Sequence, residues 1–293
     1  MKRKPDHHEG AIMLNHAAYF NERAGKLVND GIVTRETIDF YHALFEYHLR
    51  QYERYANDPN PPELESTDLP IAKTGKNIFL HDDALRLLLP GLAPLIELVA
   101  THHPGLVFRA LSESLAADPG VMRDVTGALF ENDSGRLGEF ALKHKTGAEE
   151  AVFVVINWLK PFLVFLRGRN RHMIPGGVTK QRCPFCGYYP AMAAIISGKD
   201  GRRYLQCALC EHRWQYRRIA CAVCGSEEAK DLEYLSSETD ARYRIDVCHE
   251  CRGYIKTVRI ESAEELDECD LAVENVLTPH LDSAALRQGF RRP

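Results

Sequence analysis

Eight of the nine cysteines in this chain fall in four pairs of the form C-x-x-C. The pairs are Cys183/Cys186, Cys207/Cys210, Cys221/Cys224 and Cys248/Cys251. A C-x-x-C pair on a tight turn directs both sulfurs at one ion, and two such turns complete a tetrahedral shell. In a reducing compartment, closely spaced pairs more often bind metal than form structural disulfides. This stretch therefore predicts small modules held together by metal ions.

The cysteine-rich stretch is an internal duplication. The segment Cys183-Pro-Phe-Cys186-Gly187 returns as Cys221-Ala-Val-Cys224-Gly225, and the copies are followed by Arg218-Ile219 and Arg259-Ile260. The first copy reads C-x2-C-x20-C-x2-C and the second reads C-x2-C-x23-C-x2-C. Both are close to the spacing of a zinc ribbon, and the longer second copy fits a longer hairpin turn.

The four turns can be paired into two sites in three ways. Within each copy the intervening sequence can form a hairpin, from residues 191–197 with 203–206 and from residues 232–236 with 243–247. We therefore favour sequential sites. The first site is Cys183, Cys186, Cys207 and Cys210, and the second is Cys221, Cys224, Cys248 and Cys251.

Four thiolates make a closed site, whereas a hydrolytic zinc keeps one position open for water. We therefore expect no metal-assisted hydrolysis and no catalytic residue. Tetrahedral sulfur sites accept Zn(II) or iron, and spacing does not distinguish them. The ions either staple ribbons too thin for their own cores or carry out redox chemistry. His212, His249 and the lone Cys269 are not predicted as ligands, because each set of four thiolates is complete.

Residues 1–166 have the pattern of a helical domain. Thr34 is a suitable N-cap, and apolar or aromatic residues follow it at spacings of three and four. These residues are Ile38, Tyr41, Leu44, Phe45 and Leu49. A second helix is predicted to begin near residues 81–83 and to stop at Pro90 and Gly91. Further helices are predicted over residues 93–102, 105–117, 120–130 and 149–166.

The predicted fold class is α+β. An N-terminal all-α domain (residues 1–166) is followed by a linker (167–182) with five basic residues and no acid. Two tandem rubredoxin-like or zinc-ribbon metal modules follow, over residues 183–220 and 221–260. A C-terminal tail (261–293) is predicted to form one or two helices that pack back on the body. The linker is interpreted as a solvated connector, with a basic strip for an acidic partner as the alternative.

Composition limits the class of protein further. The chain has 293 residues, 45% hydrophobic and 27% charged, with a net charge of −4, which argues against disorder. The basic N-terminus lacks a long apolar stretch behind it, so we expect no export signal. The most apolar run, residues 151–166, is shorter than the roughly 20 residues that cross a bilayer. We predict a buried core helix there and no membrane insertion.

One cluster mixes basic and aromatic residues in the way expected of a nucleic-acid surface. Its members are Arg202, Arg203, Arg213, Trp214, Tyr216, Arg217 and Arg218. Two ions, each held by four thiolates, would cancel the small positive excess of this region, and the arginines can instead bond to the thiolate clusters. Nucleic-acid binding is therefore only an alternative, and no nucleic-acid partner is expected.

The order of residues around the cysteines resembles the formate dehydrogenase accessory protein family, FdhE. The resemblance is strongest over residues 181–260 and extends to residues 270–290. It rests on Cys183-Pro-x-Cys186-Gly187, Arg203-x-Leu205-x-Cys207-x-x-Cys210, Trp214, Arg218-x-x-Cys221-x-x-Cys224 and Arg244-x-x-x-Cys248-x-x-Cys251-x-x-Tyr254-x-Lys256.

The resemblance implies a cytoplasmic accessory or assembly protein, not an enzyme. Such a protein binds the catalytic subunit of respiratory formate dehydrogenase and is required for its maturation or activity. The resemblance also implies rubredoxin-like sites in which the eight paired cysteines hold two metal ions per chain, with iron favoured and zinc possible. The alternatives are a rubredoxin-like electron-transfer protein and a nucleic-acid-binding zinc-ribbon protein. The oligomeric state is left open.

Overall fold

A computed structural model gives the structure of most of the chain, in two compact units. The helical unit comprises Arg35–Ile174, the turn Phe185–Gly187 and the start of the first helix up to Ala17. The sheet unit comprises Pro175–Pro184, Tyr188–Pro293 and the rest of the first helix. The residues described are 16–25, 33–64, 69–71, 82–103, 109–131, 133–176, 180–197, 201–236 and 240–292. The domain boundaries given above stay a prediction.

The first half of the chain is helical, as predicted. Its helices are α1 (residues 16–25), α2 (Arg35–Ala56), α3 (Asp82–His102), α4 (Arg109–Ala117), α5 (Pro119–Glu131), α6 (Ser134–Lys143) and α7 (Ala148–Arg169). The predicted residues 105–108 lie outside the described residues. Sequence reasoning missed α6, although Asp133 is a recognisable N-cap whose side chain accepts a hydrogen bond from the Arg136 N–H at 3.0 Å.

The buried face of α2 matches the predicted face only in part. Ile38, Tyr41 and Leu49 are half-buried. The fully buried residues are Phe40, Leu44, Phe45, Tyr47, His48, Gln51 and Tyr55. The helix extends two turns beyond the predicted pattern, and those turns contribute Gln51 and Tyr55 to the core.

The predicted break at Pro90 and Gly91 is wrong, because α3 continues through Pro90 and Pro94 to His102. Proline removes a backbone N–H and crowds the carbonyl one turn earlier, which normally kinks a helix. Here side chains of neighbouring helices donate to carbonyls in the same turns. Arg54 donates to Leu87 at 2.6 Å, Trp158 to Leu88 at 2.8 Å and Tyr47 to Gly91 at 3.1 Å. These bonds from α2 and α7 hold the same stretch of α3 in which Pro90 and Pro94 remove two N–H donors.

Within the part of the chain that the structure describes, two helices are long and apolar enough to cross a membrane by length and composition alone, Asp83–His102 and Ala148–Arg169. Core helices of globular proteins meet the same criterion. The apolar window of the second helix is 72% buried inside the protein and that of the first is 44% buried. The helix α7 therefore packs as the predicted core helix.

The two cysteine-containing copies form one six-stranded sheet. Its strands are β1 (Pro190–Ile196), β2 (Arg203–Cys207), β3 (Arg213–Tyr216), β4 (Leu232–Ser236), β5 (Tyr243–Cys248) and β6 (Tyr254–Ile260), in the order β3-β2-β1-β6-β5-β4. Both predicted hairpins, β1–β2 and β4–β5, are confirmed as antiparallel pairs. The strands β3 and β6, which complete each copy, were not predicted.

A parallel pairing of β1 with β6 joins the two copies. Its register runs from Met192 opposite Lys256 to Ile196 opposite Ile260. The copies thus have no separate sheets, although each contributes three consecutive antiparallel strands. This continuity places the cysteine turns of both copies on one scaffold.

Three short helices follow the sheet, where one or two were predicted. They are α8 (Ala263–Glu268), α9 (Leu271–Val276) and α10 (Pro279–Arg287). Their leucines pack on one face of the sheet in a common core with Met192, Ile245 and Val258. The buried Lys256 ties them to β6, since its Nζ donates to the carbonyls of Asn275 (2.5 Å) and Thr278 (3.2 Å) and to Asp282 (2.8 Å).

A buried carboxylate ties α1 to the sheet unit. Glu274 accepts hydrogen bonds from Tyr19 at 2.5 Å and from Tyr243. The guanidinium groups of Arg23 and Arg242 lie 3.3 and 3.4 Å from it. Two cations and two hydroxyl groups thus satisfy an acid that has no solvent exposure.

Candidate metal centres

All four cysteine turns have the same backbone geometry. In each turn the N–H of the first cysteine donates to the carbonyl five residues later, at 2.8–3.0 Å. The turns span residues 183–188, 207–212, 221–226 and 248–253. Backbone N–H groups also point at the sulfurs, since Cys207 Sγ accepts from Leu209 and Cys210, and Cys221 Sγ accepts from Val223 and Cys224, at 3.3–3.5 Å. Hydrogen bonds of this kind favour the thiolate form that binds metal.

The residue after the second cysteine of every turn has a positive φ. Gly187 and Gly225, in the first turn of each copy, have φ of 83° and 84°. Glu211 and Arg252, in the second turn of each copy, have φ of 58° and 57°. The latter values lie in the small left-handed region that L-residues can enter, whereas values above 80° favour glycine. The turns therefore differ in their need for glycine.

The first cluster is Cys183, Cys186, Cys207 and Cys210, whose Sγ atoms all lie within 4.8 Å of one another. Cys183 Sγ and Cys210 Sγ are 3.5 Å apart. None of the four cysteines is more than 1% exposed. An ion bound here would be isolated from solvent.

The second cluster is Cys221, Cys224, Cys248 and Cys251, again with Sγ atoms within 4.8 Å of one another. The Sγ distances are 3.7 Å between Cys221 and Cys251 and 3.9 Å between Cys224 and Cys248. Cys224 is exposed and Cys251 is half-buried. Glu250 lies beside this open side, with a carboxylate oxygen 3.9 Å from Cys224 Sγ. The second cluster thus faces solvent, while the first does not.

Both clusters fit a four-coordinate metal ion. A regular tetrahedron with metal–sulfur bonds of about 2.3 Å has sulfur–sulfur edges of about 3.8 Å, close to the distances above. A disulfide would place two sulfurs at about 2.05 Å, and none of the nine cysteines forms a disulfide. The two four-cysteine sites could therefore bind two metal ions. Zn(II) and iron both accept this donor set.

A glycine that sequence reasoning missed shapes the second site. The Gly253 N–H donates to Cys251 Sγ at 3.3 Å. A Cβ atom on Gly253 would lie 3.0 Å from that sulfur and 2.8 Å from Val223 Cγ2. The signal in the sequence was a glycine two positions after the last cysteine, where the first copy has His212.

The two neighbouring histidines and the ninth cysteine lie outside both clusters among the residues described. His249 Nε2 is 2.8 Å from Glu233, and the His212 ring stacks on Trp214. Cys269 is buried beside Arg242, whose Nη2 lies 3.8 Å from its sulfur. Burial and the nearby Glu274 carboxylate raise the pKa of Cys269 to about 11.

Most of the basic and aromatic cluster is engaged in internal bonds. Trp214 and Tyr216 are buried, and so is Arg203. The acceptors are the carbonyls of Lys180 for Trp214, Cys221 for Tyr216, Ala220 for Arg203, and Leu266 and Cys269 for Arg213, while Arg217 pairs with Glu227. Most of this cluster is thus held by bonds within the sheet unit, while Arg217 and Arg218 are exposed.

Several known proteins that are similar to this chain are named FdhE. A family model described as FdhE, central domain, matches residues 182–218. An FdhE homolog from Shewanella baltica (strain OS185) is 36% identical over 109 residues, which span 37% of this chain and 35% of the relative. The match thus covers about a third of that relative. The FdhE homolog from Serratia proteamaculans is 27% identical over 85% of this chain and 78% of its own length.

The fold and the two clusters define a two-unit α+β protein with a duplicated all-cysteine metal-binding module. A solved crystal structure of the FdhE protein from Pseudomonas aeruginosa has the same fold, with a TM-score of 0.59 and 20% identity over 100% of this chain and 95% of that chain. The protein FdhE of Salmonella choleraesuis matches 88% of this chain at 26% identity. The chain is thus similar to FdhE proteins, in its cysteine-rich segment and over most of its length.

Proposed function

We propose that this chain is a cytoplasmic accessory protein that binds the catalytic subunit of respiratory formate dehydrogenase and is required for its maturation or activity. The observation that carries the proposal is the pair of all-cysteine clusters, one of which lies within the segment matched by the FdhE central domain. The relatives named FdhE that match most of this chain support the same assignment. The chain acts as a binding protein and not as an enzyme.

The eight cysteines of the two clusters are the proposed metal ligands, with iron favoured over zinc. When bound, each ion supplies a cross-link between two turns that are distant in sequence and, if it is iron, a one-electron redox couple. The protein contributes the preformed turns and the N–H groups directed at sulfur. Because each copy alone offers three strands, the cross-links stabilise the scaffold that presents the client-binding surface.

Retention of the catalytic subunit by the immobilised, metal-loaded chain tests this proposal. We expect the wild-type chain to retain the subunit, and Cys186→Ala or Cys224→Ala variants to retain less, because they lose a ligand. Cys269→Ala is the matched control, since this cysteine is outside both clusters, and it should bind like the wild type. If the wild-type chain does not retain the subunit, the proposal is wrong.

A second candidate function is electron transfer through a four-thiolate iron site. The solvent exposure of Cys224 favours it, because an exposed ligand shortens the path for an electron to a partner. Anaerobic purification, metal analysis and a reductive titration test it. Stoichiometric zinc without visible absorption would exclude this function.

A further inference from the structure

A cavity of about 280 Å³ lies within the sheet unit, beside the second four-cysteine site. Its lining includes the segment from Arg218 to Val223, which contains Cys221 and precedes Cys224, and residues of strands β4 and β5. The volume is slightly below the roughly 300–1,000 Å³ of pockets for drug-sized ligands and cofactors. The cavity therefore suits one or two side chains better than a dinucleotide.

The charged residues that line the cavity are three arginines, Arg203, Arg218 and Arg244, and two acids, Glu233 and Asp246. The Arg203 side chain is buried and donates to Ala220 O at 2.8 Å and to Asp246 at 2.9 Å, but its Nε–H has no acceptor. Arg244 pairs with the same Asp246 at 2.7 Å. Arg218 is exposed and its guanidinium lies beside Gly201, with no hydrogen bond or ion pair among the residues described. Asp246 thus serves two guanidinium groups and Glu233 lies 2.8 Å from His249 Nε2, while Arg218 is unpaired and the Arg203 Nε–H is unsatisfied, which favours an anionic ligand.

The rim of the cavity is apolar and borders a sheet edge. Ile219 is 65% exposed and Tyr234 is 55% exposed, two of the four large apolar residues with such exposure among those described. The Arg244 guanidinium lies 4.9 Å from the centre of the Tyr234 ring and holds it in place. Tyr234 belongs to β4, the outermost strand on this side of the sheet. An edge strand can accept a further extended segment by main-chain hydrogen bonding.

We propose that this cavity binds an extended segment of a partner protein in which an acidic side chain lies next to an apolar one. The carboxylate pairs with Arg218 and the unsatisfied donor of Arg203, the apolar side chain packs between Ile219 and Tyr234, and the backbone extends along β4. The identity of that partner rests on the proposed function, which makes it the catalytic subunit of formate dehydrogenase.

The partner arm of the test measures the Kd of the purified catalytic subunit for the metal-loaded full-length chain by calorimetry. Arg218→Glu and Ile219→Ser should each weaken binding at least tenfold. The matched controls Arg287→Glu and Leu286→Ser alter exposed residues on α10 and should stay within twofold. An Arg218→Glu variant whose Kd for the subunit stays within twofold of the wild-type value would overturn the proposal.

The peptide arm needs no client. A synthetic pentapeptide of alternating valine and glutamate should shift the Nε–H resonances of Arg203 and Arg218 in NMR spectra, and its glutamine counterpart should not. If the peptide shifts these resonances but the chain does not retain the subunit, the cavity is a peptide-binding site and the proposed function is wrong. No shift, or the same shift with inorganic phosphate alone, would overturn the proposal. Sedimentation that shows self-association abolished by Arg218→Glu would assign the cavity to a second copy of this chain and overturn it too.

Discussion

At the level of single residues, the position after each cysteine pair separates the four turns into two kinds. The backbone requires a φ above 80° at Gly187 and Gly225, and below 60° at Glu211 and Arg252. The sequence pattern Cys-Gly was visible in the first turn of each copy, but the conformation of Glu211 and Arg252 had no comparable signal. Glycine is thus a requirement of the first turn of each copy only.

Gly225→Ala should destabilise the metal-loaded protein by about 1–2 kcal/mol, because a left-handed backbone is strained for an L-residue. Steric contact adds little, since a Cβ atom would meet only Gln181 atoms at 3.6 Å. Urea unfolding measures the difference in the free energy of unfolding. The control is Gly176→Ala, where a Cβ atom meets nothing within 4 Å and φ is not positive, and it should leave stability unchanged. An equal loss in both variants would contradict the conformational explanation.

Lys256 predicts a pH dependence of stability. Burial lowers its pKa from 10.5 to about 7, with Arg292 acting in the same direction and Asp282 opposing it. Between about pH 7 and pH 10.5 the unfolded chain keeps a proton on Lys256 that the folded chain has lost. The free energy of unfolding therefore rises with pH. Relative to Lys256→Met, the wild type should gain about 1 kcal/mol per pH unit from pH 7.5 to 9.5. Urea unfolding of both proteins at several pH values provides the measurement.

The comparison with Lys256→Met cancels groups that titrate identically in both proteins. A difference in the free energy of unfolding between the two proteins that does not change from pH 7.5 to 9.5 would contradict the prediction. That result would mean that Asp282 and the carbonyls of Asn275 and Thr278 keep the Lys256 ammonium charged to a higher pH than burial alone allows.

At the level of elements, α3 continues through residues that normally end a helix, and contacts with neighbouring helices stabilise it there. Pro90 and Gly91 are correct stop signals in isolation. Their effect is overridden by donors from Arg54, Tyr47 and Trp158, which lie far away in sequence or on another helix. No pattern within α3 itself could reveal those donors, so the break was predicted wrongly.

The close packing of α2 against Gly91 makes this position sensitive to substitution. A Cβ atom there would lie 2.8 Å from Gln51 Oε1 and 3.3 Å from the Tyr47 hydroxyl, and Gln51 is itself held by Arg54 at 2.7 Å. Gly91→Ala should therefore destabilise the protein by about 1–3 kcal/mol, despite the better helix propensity of alanine. Gly138→Ala in α6 is the matched control, because open space surrounds it, and it should stabilise by up to about 1 kcal/mol. Thermal unfolding should show opposite shifts, and shifts of the same sign would be inconsistent with the close packing at Gly91.

The two metal centres should differ in the rate of metal release. A colorimetric chelator added to the fully loaded, folded chain should remove one equivalent rapidly through the exposed Cys224 and the second only slowly. A Cys224→Ser variant should lack the fast phase and keep the slow one. Two equivalents released at one common rate would show that burial of the first cluster does not limit access.

For the molecule as a whole, sequence reasoning was most successful where covalent spacing alone determines geometry. It gave the grouping of the cysteines, both hairpins and the α+β class, because turn residues and cysteine spacing act locally. It did not give the parallel pairing of β1 with β6, since that pairing links strands from opposite ends of the duplication. It also missed the buried charges of Lys256 and Glu274, which are identified only by the partners that the fold brings to them.

Each unit contains one tryptophan, Trp158 in the helical unit and Trp214 in the sheet unit. Metal binding contributes directly to folding in small metal-stapled modules. Removal of both ions should therefore lower the unfolding midpoint reported by Trp214 more than that reported by Trp158. Fluorescence of the Trp158→Phe and Trp214→Phe variants in urea isolates each signal. Equal shifts at the two tryptophans would show that the chain unfolds as one cooperative body.

The order of strands gives the sheet a direction. The seam at its centre joins the first strand of one copy to the last strand of the other, and the outer edges are the last strand of the first copy, β3, and the first strand of the second copy, β4. The two ends are thus counterparts of the very strands that meet in the middle. A third copy could therefore pair with either outer strand in the way that β1 pairs with β6, without changing any existing strand pairing.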